Sequence, residues 1–412
     1  MFHAANSTRS MALGRTAPRI VLYSHDTLGF GHLRRNLLIA AALRQMEPAP
    51  QVLMITGMRE AGAFELPPGV DCISLPAYAK GVDGTYRPRD LGGDLAALAA
   101  LRARTIEAAV LAFDPDLMIV DNVPRGAQQE LDPTLAALRR RGRTRVVLGL
   151  RDVIDTPDAV HRQWAQQRNF EAVSRWFDAV WVYGDPTFYD LLADCGFDAV
   201  MGDRSRFTGY LDHSGRLAAP LAIRERDRIL AGDPRPYVLC TVGGGRDGAE
   251  VSEAFLRAPM PAGHRGILIT GSQMPGGLRE EMRGHAAGRD DMTVVDFVSE
   301  PLALMAGAAR IVAMGGYNTV CEVLSLGRPA LIVPRAVPRA EQVLRAERLA
   351  ARGLINMMLP DDLTPDALGD WLGRAVSEPL AGAIALDMSG LDRVRDFTAR
   401  MLTAPHDLRV AS

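Results

Sequence analysis

Met314-Gly-Gly-Tyr-Asn-Thr-Val-Cys-Glu-Val-Leu-Ser-Leu-Gly-Arg-Pro-Ala-Leu-Ile-Val-Pro334 reads as the end of a strand, a glycine turn, a helix over Thr319–Leu326, a Gly-Arg-Pro turn and a second strand, Ala330–Val333. Strand, helix and strand joined by such short turns form the repeating unit of a parallel sheet covered by helices. Gly315 and Gly316 let the backbone turn tightly and approach a ligand closely. The N–H groups of Asn318 and Thr319 open the helix and point toward an anion above the strand end. A diphosphate fits there without a metal. Glu322 lies one turn inside, where its carboxylate can accept hydrogen bonds from both hydroxyls of a ribose. The plainer role of such a residue is that of a first-turn acid stabilising the helix dipole.

Outward from this segment the alternation fills the chain. Strands are expected at Arg19–Ser24, Gln51–Thr56, Asp71–Leu75, Asp116–Val120, Arg145–Leu150 and Ala179–Tyr183. Helices are expected between them at Leu33–Gln45, Leu95–Phe113, Pro133–Arg141 and His161–Phe177. The stretch Gly209–Pro236, with Asp212-His213-Ser214-Gly215, the charged run Arg224–Arg228 and Gly232-Asp233-Pro234, reads as a linker region. Alternation then restarts with strands at Tyr237–Val242, Ile267–Thr270, Thr293–Phe297, Arg310–Ala313 and Ala330–Val333. The expected division is a disordered tail (1–18), an N-terminal domain (19–208), a linker (209–236), a second domain (237–380), and a C-terminal helix with tail (381–412). Two open α/β units of this kind bind ligands beyond the carboxyl ends of their strands, in the cleft between domains.

The composition agrees with this. A chain of 412 residues, 48% hydrophobic and 23% charged, is globular and suits two domains. The formal net charge of -2 gives no overall pull toward nucleic acid, and aromatic-basic motifs for that partner are missing. Lys80 is the sole lysine, which excludes a Walker-type phosphate loop and leaves one candidate for Schiff-base chemistry. Cys72, Cys195, Cys240 and Cys321 have neither disulfide nor zinc spacing, and a reducing, cytoplasmic setting is expected. Residues 1–18 lack an apolar core of signal-peptide length. The apolar helix Leu95–Phe113 carries Arg102, Arg104 and Glu107, so a membrane span is not expected.

Two further turns carry chemistry. His25-Asp-Thr-Leu-Gly-Phe-Gly-His32 follows the first strand and opens the first helix. Gly29 and Gly31 allow the sharp change of direction, and His32 falls at the positive end of the helix, which disfavours imidazolium. A neutral imidazole there is a general base; the bland alternative is a capping residue. His25 is a second, more ambiguous acceptor-side candidate. Arg34 stands where a dinucleotide fingerprint needs its third glycine. The second turn, Thr241-Val-Gly-Gly-Gly-Arg-Asp-Gly248, has dinucleotide spacing at Gly243, Gly245 and Gly248. The next strand, however, ends Ile269-Thr-Gly-Ser272 without the acid a nicotinamide site requires. What survives is a set of backbone N–H groups suited to phosphate or sugar, with Gly244 and Arg246 beside them.

These motifs together resemble the GT-B glycosyltransferases. The similarity is greatest to the branch containing the UDP-GlcNAc transferase of peptidoglycan assembly, with its family 28 C-terminal domain, and the diacylglycerol galactosyl- and glucosyltransferases. The resemblance spans roughly residues 19–380. It implies two Rossmann-like domains facing a cleft, with the C-terminal helix crossing back to the N-terminal domain. It puts an acceptor-side base on His32, a glycine turn on Gly243–Gly245, a uracil-reading pair on Phe297-Val298 and the ribose glutamate on Glu322. The family's Asp-Gln-x-x-Asn-Ala segment falls on Glu341-Gln342 and Arg345-Ala346, and with this departure the resemblance assigns no particular donor sugar. Glu341 can still bond sugar hydroxyls.

Asp121 at one strand end could orient His32, and Arg151-Asp152 at the next could contact an acceptor; ordinary loop capping is the alternative for each. The run Arg139–Arg145 reads as a solvated helix end that could also touch anionic lipid headgroups. Trp164, Trp176 and Trp181 read as core. The expected reaction is inverting, metal-independent glycosyl transfer from a nucleoside-diphosphate sugar, UDP-linked by resemblance, in polysaccharide or glycolipid biosynthesis. Neither a cofactor nor a metal is expected. The acceptor is unassigned, a lipid-linked or polysaccharide acceptor being compatible, and a peripheral position at the inner membrane face fits the first. Rival readings are a nucleotide-sugar hydrolase or 2-epimerase on the same fold, and a non-catalytic sugar-nucleotide sensor.

Overall fold

The computed structural model describes residues 17–26, 29–81, 85–337, 339–374 and 386–404. The strands of the first half are β1 (Arg19–Ser24), β2 (Gln51–Thr56), β3 (Val70–Ser74), β4 (Tyr78–Lys80), β5 (Tyr86–Pro88), β6 (Leu117–Asp121), β7 (Arg145–Arg151), β8 (Ala179–Tyr183) and β9 (Ser205–Phe207). Those of the second half are β10 (Tyr237–Thr241), β11 (Arg265–Ile269), β12 (Met292–Val295), β13 (Arg310–Met314), β14 (Ala330–Val333) and β15 (Asn356–Met357). They form two sheets, ordered β3-β2-β1-β6-β7-β8-β9 and β12-β11-β10-β13-β14-β15. Every ladder in both is parallel.

Continuous apolar runs make this possible. Ile20, Val21, Leu22 and Tyr23 of β1 are all fully buried, as are Val238, Leu239 and Cys240 of β10. A strand covered on both faces has no polar side to present, so alternation disappears from its sequence. In each sheet the strand order reverses once, between β1 and β6 and between β10 and β13. Such a reversal opens a crevice outside the carboxyl ends of the two strands. The turns after β1 and β6 and after β10 and β13 are therefore where ligand chemistry belongs.

Several elements differ from the sequence reading. The stretch Pro76–Pro88, which shows no readable pattern, contains the antiparallel hairpin β4–β5. The expected helix His161–Phe177 is two, Pro157–Gln166 and Asn169–Trp176, parted by Arg168 in the left-handed region at φ 53°. The expected linker Gly209–Pro236 holds a helix, Pro220–Leu230, packed against Leu302–Gly307. Its charged run Arg224–Arg228 is the outer face of an amphipathic helix, with Ala222 and Ile229 buried beneath. Helix Gly276–Ala286 and the short edge strand β15 were not anticipated. The expected tail lies outside the described residues up to residue 16, as do residues 375–385 and 405–412.

The last described helix, Gly390–Thr403, lies against helix Gly31–Leu43 of the first half. Phe397 meets Trp181 with ring centroids 5.9 Å apart, and Leu211 bridges to Ser389. Trp164 and Trp181 are buried in the core and Trp176 is half-buried against it. The four cysteines are free, and three of them are buried. The basic run beginning at Arg139 is paired, Arg139 and Arg145 with Asp178, and Arg141 and Arg143 with Asp114. No described helix is long and apolar enough to cross a membrane.

Candidate active site

The first wall of the site is the turn after β1. Asp26, at φ 34°, holds it: Oδ1 accepts from the Leu33 N–H at 3.2 Å, and Oδ2 accepts from Thr56 Oγ1 at 2.5 Å. This delivers helix Gly31–Leu43 with His32 in its first turn. His32 Nδ1 is hydrogen-bonded to Asp121 Oδ2 at the end of the neighbouring β6. Arg35, one turn on, donates from Nε to Asp121 Oδ1 at 2.7 Å and from Nη2 to Oδ2 at 2.6 Å. Burial opposes ionisation of Asp121, but the Arg35 charge and the hydrogen bonds from His32 and Arg35 outweigh it and hold the carboxyl well below the usual carboxylate range. An ionised Asp121 only accepts hydrogen bonds, so Nδ1 donates to it, and Nε2 is the ring nitrogen left to exchange a proton with a substrate. His25 stands behind His32, ring centroids 4.9 Å apart, and is buried with no partner for Nδ1. Burial above all holds its imidazole well below the ordinary value.

The second wall comes from the other half. After β10 the chain turns at Gly243, φ 65°, and Gly245, φ 90°. A Cβ on Gly245 would stand 1.9 Å from the Thr270 carbonyl oxygen, and one on Gly271 would stand 2.4 Å from the Gly244 carbonyl carbon. The turns after β10 and β11 therefore interlock backbone to backbone. A Cβ on Gly244 would reach 3.4 Å from the Gly29 Cα, so the glycine turns of the two halves face each other across the cleft. Gln273 joins them, donating its N–H to Gly244 O at 2.8 Å and accepting the Gly29 N–H at 3.1 Å.

After β13, Gly316 precedes helix Tyr317–Leu326, whose first backbone N–H groups have no intrahelical acceptor. Tyr317 is buried between the halves: its hydroxyl donates to Tyr183 O at 2.9 Å, and its ring lies under both Arg35 and Arg345. Asn318 Nδ2 donates to Gly31 O at 2.6 Å. Glu322 is 3% exposed, and its Oε1 accepts from Arg216 Nη1 at 3.0 Å, with Arg34 at 3.8 Å. Arg34 also donates to the carbonyls of Val298 and Ser299 at 3.2 Å each. Phe297 packs against Phe30, ring centroids 5.6 Å apart. Arg335 donates to Glu341 Oε1 at 3.0 Å, and the Arg335 N–H donates to Gln342 Oε1 at 3.0 Å.

These walls enclose a cavity of about 280 Å³. Of the residues expected from sequence, His32, Gly31, Arg151, Gly243, Gly244, Gly245, Arg246, Phe297, Val298, Gly316, Asn318, Thr319, Glu322, Glu341 and Gln342 line it. Four do not. Asp121 lies behind His32, and His25 is covered by it. Gly315 packs beneath the turn, where a Cβ would meet Gln342 Cβ at 3.1 Å. Asp152 corrects the acceptor-side expectation most clearly. It is 1% exposed, accepts from Arg345 Nη2 at 2.7 Å and from Tyr210 Oη at 2.8 Å, and so has no oxygen to offer an acceptor. Sequence reasoning missed Arg34, Arg35, Gln273, Tyr317 and Arg335 as cavity residues. Arg345, read only as a departure from a motif, also reaches Gly315 O at 3.1 Å. Among the described residues there is no cluster of three His, Cys, Asp or Glu side chains that could hold a metal.

Residues 239–400 match the glycosyltransferase family 28 C-terminal domain. Over 233 residues the chain is 30% identical to the UDP-N-acetylglucosamine--N-acetylmuramyl-(pentapeptide) pyrophosphoryl-undecaprenol N-acetylglucosamine transferase of Acidiphilium cryptum, covering 50% of this chain and 61% of that one. The chain thus spans between half and about three-fifths of the length of the first curated relatives it matches. Among solved structures, Acinetobacter baumannii MurG superposes with a TM-score of 0.53 at 17% identity, over 93% of this chain and 99% of that one. The UDP-GlcNAc 2-epimerase of Neisseria meningitidis, bound to UDP-GlcNAc, superposes with a TM-score of 0.59 at 12% identity, over 93% and 99%. The fold is that of the GT-B glycosyltransferases, and the second half resembles the family 28 domain in sequence.

Proposed function

From this fold and the family 28 match, we propose that the protein is a glycosyltransferase that moves a hexose or N-acetylhexosamine from a UDP-linked donor to an acceptor hydroxyl, with inversion and without a resident metal. The observation that carries the reading is the meeting, in one cavity, of a glycine turn and a helix start from one half with the His32–Asp121 pair from the other. The diphosphate lies over the Gly243–Gly245 turn and the N–H groups at Gly316–Thr319, which stabilise the charge of the leaving group as the anomeric bond breaks. Glu322 takes the ribose hydroxyls, and the Phe297-Val298 backbone reads the uracil edge. Glu341 and Gln342 take the sugar hydroxyls.

His32 accepts the acceptor proton on Nε2 as the oxygen attacks the anomeric carbon, and Asp121 stabilises the imidazolium that forms. The Acidiphilium relative is named as a transferase to a pyrophosphoryl-undecaprenol, which supports a lipid-linked acceptor here, and a peripheral position at a membrane would follow from such an acceptor. The test is a thermal-shift screen of UDP-, GDP- and dTDP-sugars, followed by product analysis of the stabilising donor with and without lipid-linked acceptors. UDP released only when acceptor is present supports transfer. Free sugar without acceptor identifies a hydrolase, an epimerised UDP-sugar an epimerase, and binding without turnover a sensor. Stabilisation by none of the nucleotide sugars overturns the reading.

A further inference from the structure

Arg151 ends β7 on the first wall of the cleft. Its Nε is buried, and its guanidinium makes no hydrogen bond or ion pair to any described residue. The arginines around it are different. Arg35 is bound to Asp121, Arg345 to Asp152 and Arg335 to Glu341, while Arg339 lies 4.0 Å from Asp155. Burial, offset in part by Glu341 and reinforced by Arg35, lowers the pKa of Arg151 to about 10. A half-buried cation held among cations, with its Nε shut off from solvent and unpaired, lacks the partner that such a group ordinarily has.

A second orphan lines the same cavity. Glu341 gives Oε1 to Arg335, but its Oε2 is buried without a partner. The two halves therefore present one unsatisfied cationic donor and one unsatisfied anionic acceptor to a shared space. Buried polar groups are normally paired. A group that satisfies both brings hydroxyls to Glu341 and an anionic oxygen to Arg151.

We infer that Arg151 is the recognition point for a carboxylate or phosphate on the substrate lying between β7 and Glu341. The inference rests on the nucleotide-sugar reading above and sharpens it to an anionic substrate. The anion has two possible sources with one chemistry: a carboxylate on the donor sugar, or an acidic group on the acceptor beside its attacking hydroxyl. Either accepts the paired N–H groups of a planar guanidinium. A neutral sugar meeting a neutral acceptor leaves Arg151 unsatisfied.

The test titrates the full-length protein with UDP, UDP-glucose and UDP-glucuronic acid by calorimetry, and the UDP-saturated protein with inorganic phosphate. Wild type, Arg151→Gln and Arg151→Lys are compared, and an unchanged UDP affinity certifies each variant as folded. If wild type binds UDP-glucuronic acid about tenfold or more tighter than UDP-glucose, and Arg151→Gln erases the difference, the anion is on the donor. If the two UDP-sugars bind alike, but phosphate binding to the UDP-saturated protein is lost in Arg151→Gln and partly kept in Arg151→Lys, the anion is on the acceptor. UDP binding with neither dependence on Arg151 overturns the inference and leaves the nucleotide reading standing. Failure of wild type to bind UDP overturns both.

Discussion

The state of a single ring proton connects His32 to its neighbours. Nδ1 faces an Asp121 that Arg35 keeps ionised, so Nε2 is left to act as the base, which depends on Asp121 behind the ring and on Arg35 beside it. His32→Ala is expected to slow transfer by about 10²–10⁴-fold, the usual contribution of a general base, with the UDP dissociation constant unchanged. Asp121→Asn should lower kcat while leaving donor KM in place, because Asn cannot hold the imidazolium; steady-state kinetics separates the two parameters. His32 is readable in sequence as a polar residue at a helix start, and Asp121 as one at a strand end. Arg35 is not, because its partner lies 86 residues away and only the β1–β6 pairing brings them together.

Two buried histidines set the pH response at the same scale. Burial foremost, then nearby positive charge, lowers the pKa of His25 and of His213, whose Nδ1 accepts from Arg216. In the unfolded chain both titrate near 6.5. Below that value the unfolded state binds protons that the folded state refuses, so stability is present above about pH 6.5 and falls as pH is lowered toward the folded values. The melting temperature should drop between pH 7 and 5, and a His25→Gln/His213→Gln double variant should show a shallower drop. An equal slope in the two proteins would remove the histidines from the explanation.

At the scale of the element, the glycine turns are constrained by each other. Gly245 combines φ 90° with backbone contact to Thr270, so both conformation and space exclude a side chain. Gly245→Ala is expected to cost about 1–3 kcal/mol from the backbone conformation alone and more from the contact, and to weaken UDP binding by displacing the turn. Denaturant titration and calorimetry read the two effects separately. Gly316, with open space around its Cβ position, should tolerate alanine far better. The helices Pro220–Leu230 and Gly276–Ala286 escaped the sequence reading because charge and glycine masked their short apolar faces, of which only Ala222 and Ile229 in one and Met282 in the other are buried.

For the whole molecule, the Asp152–Arg345 pair is a fully buried ionic tie between halves. Arg345 is fully buried, grips Asp152 with Nε and Nη2, and reaches Val153 O and Gly315 O. It thus couples the end of β7 to the turn after β13. Removing one partner of a buried pair leaves an uncompensated charge, so Arg345→Met or Asp152→Asn should each cost about 3–5 kcal/mol. The double variant should recover much of that loss, since it leaves no charge unpaired. Thermal unfolding measures the cycle. Costs that simply add would show that the two residues act independently.

The alternation of strand and helix in two units, and the glycine turns that follow β1, β10 and β13, are legible in the chain itself. Apolar runs, glycines and caps are local, and their physics acts within a few residues of the chain. Tertiary structure alone decided which strand ends meet at each sheet reversal, and with them which arginine serves which carboxylate. Asp152 and Arg151 are adjacent in sequence, yet one is spent on Arg345 and the other faces the cavity with no partner among the described residues. Coulombic and hydrogen-bond partners are chosen by distance in space, over separations such as the 193 residues between Asp152 and Arg345, which no local pattern encodes.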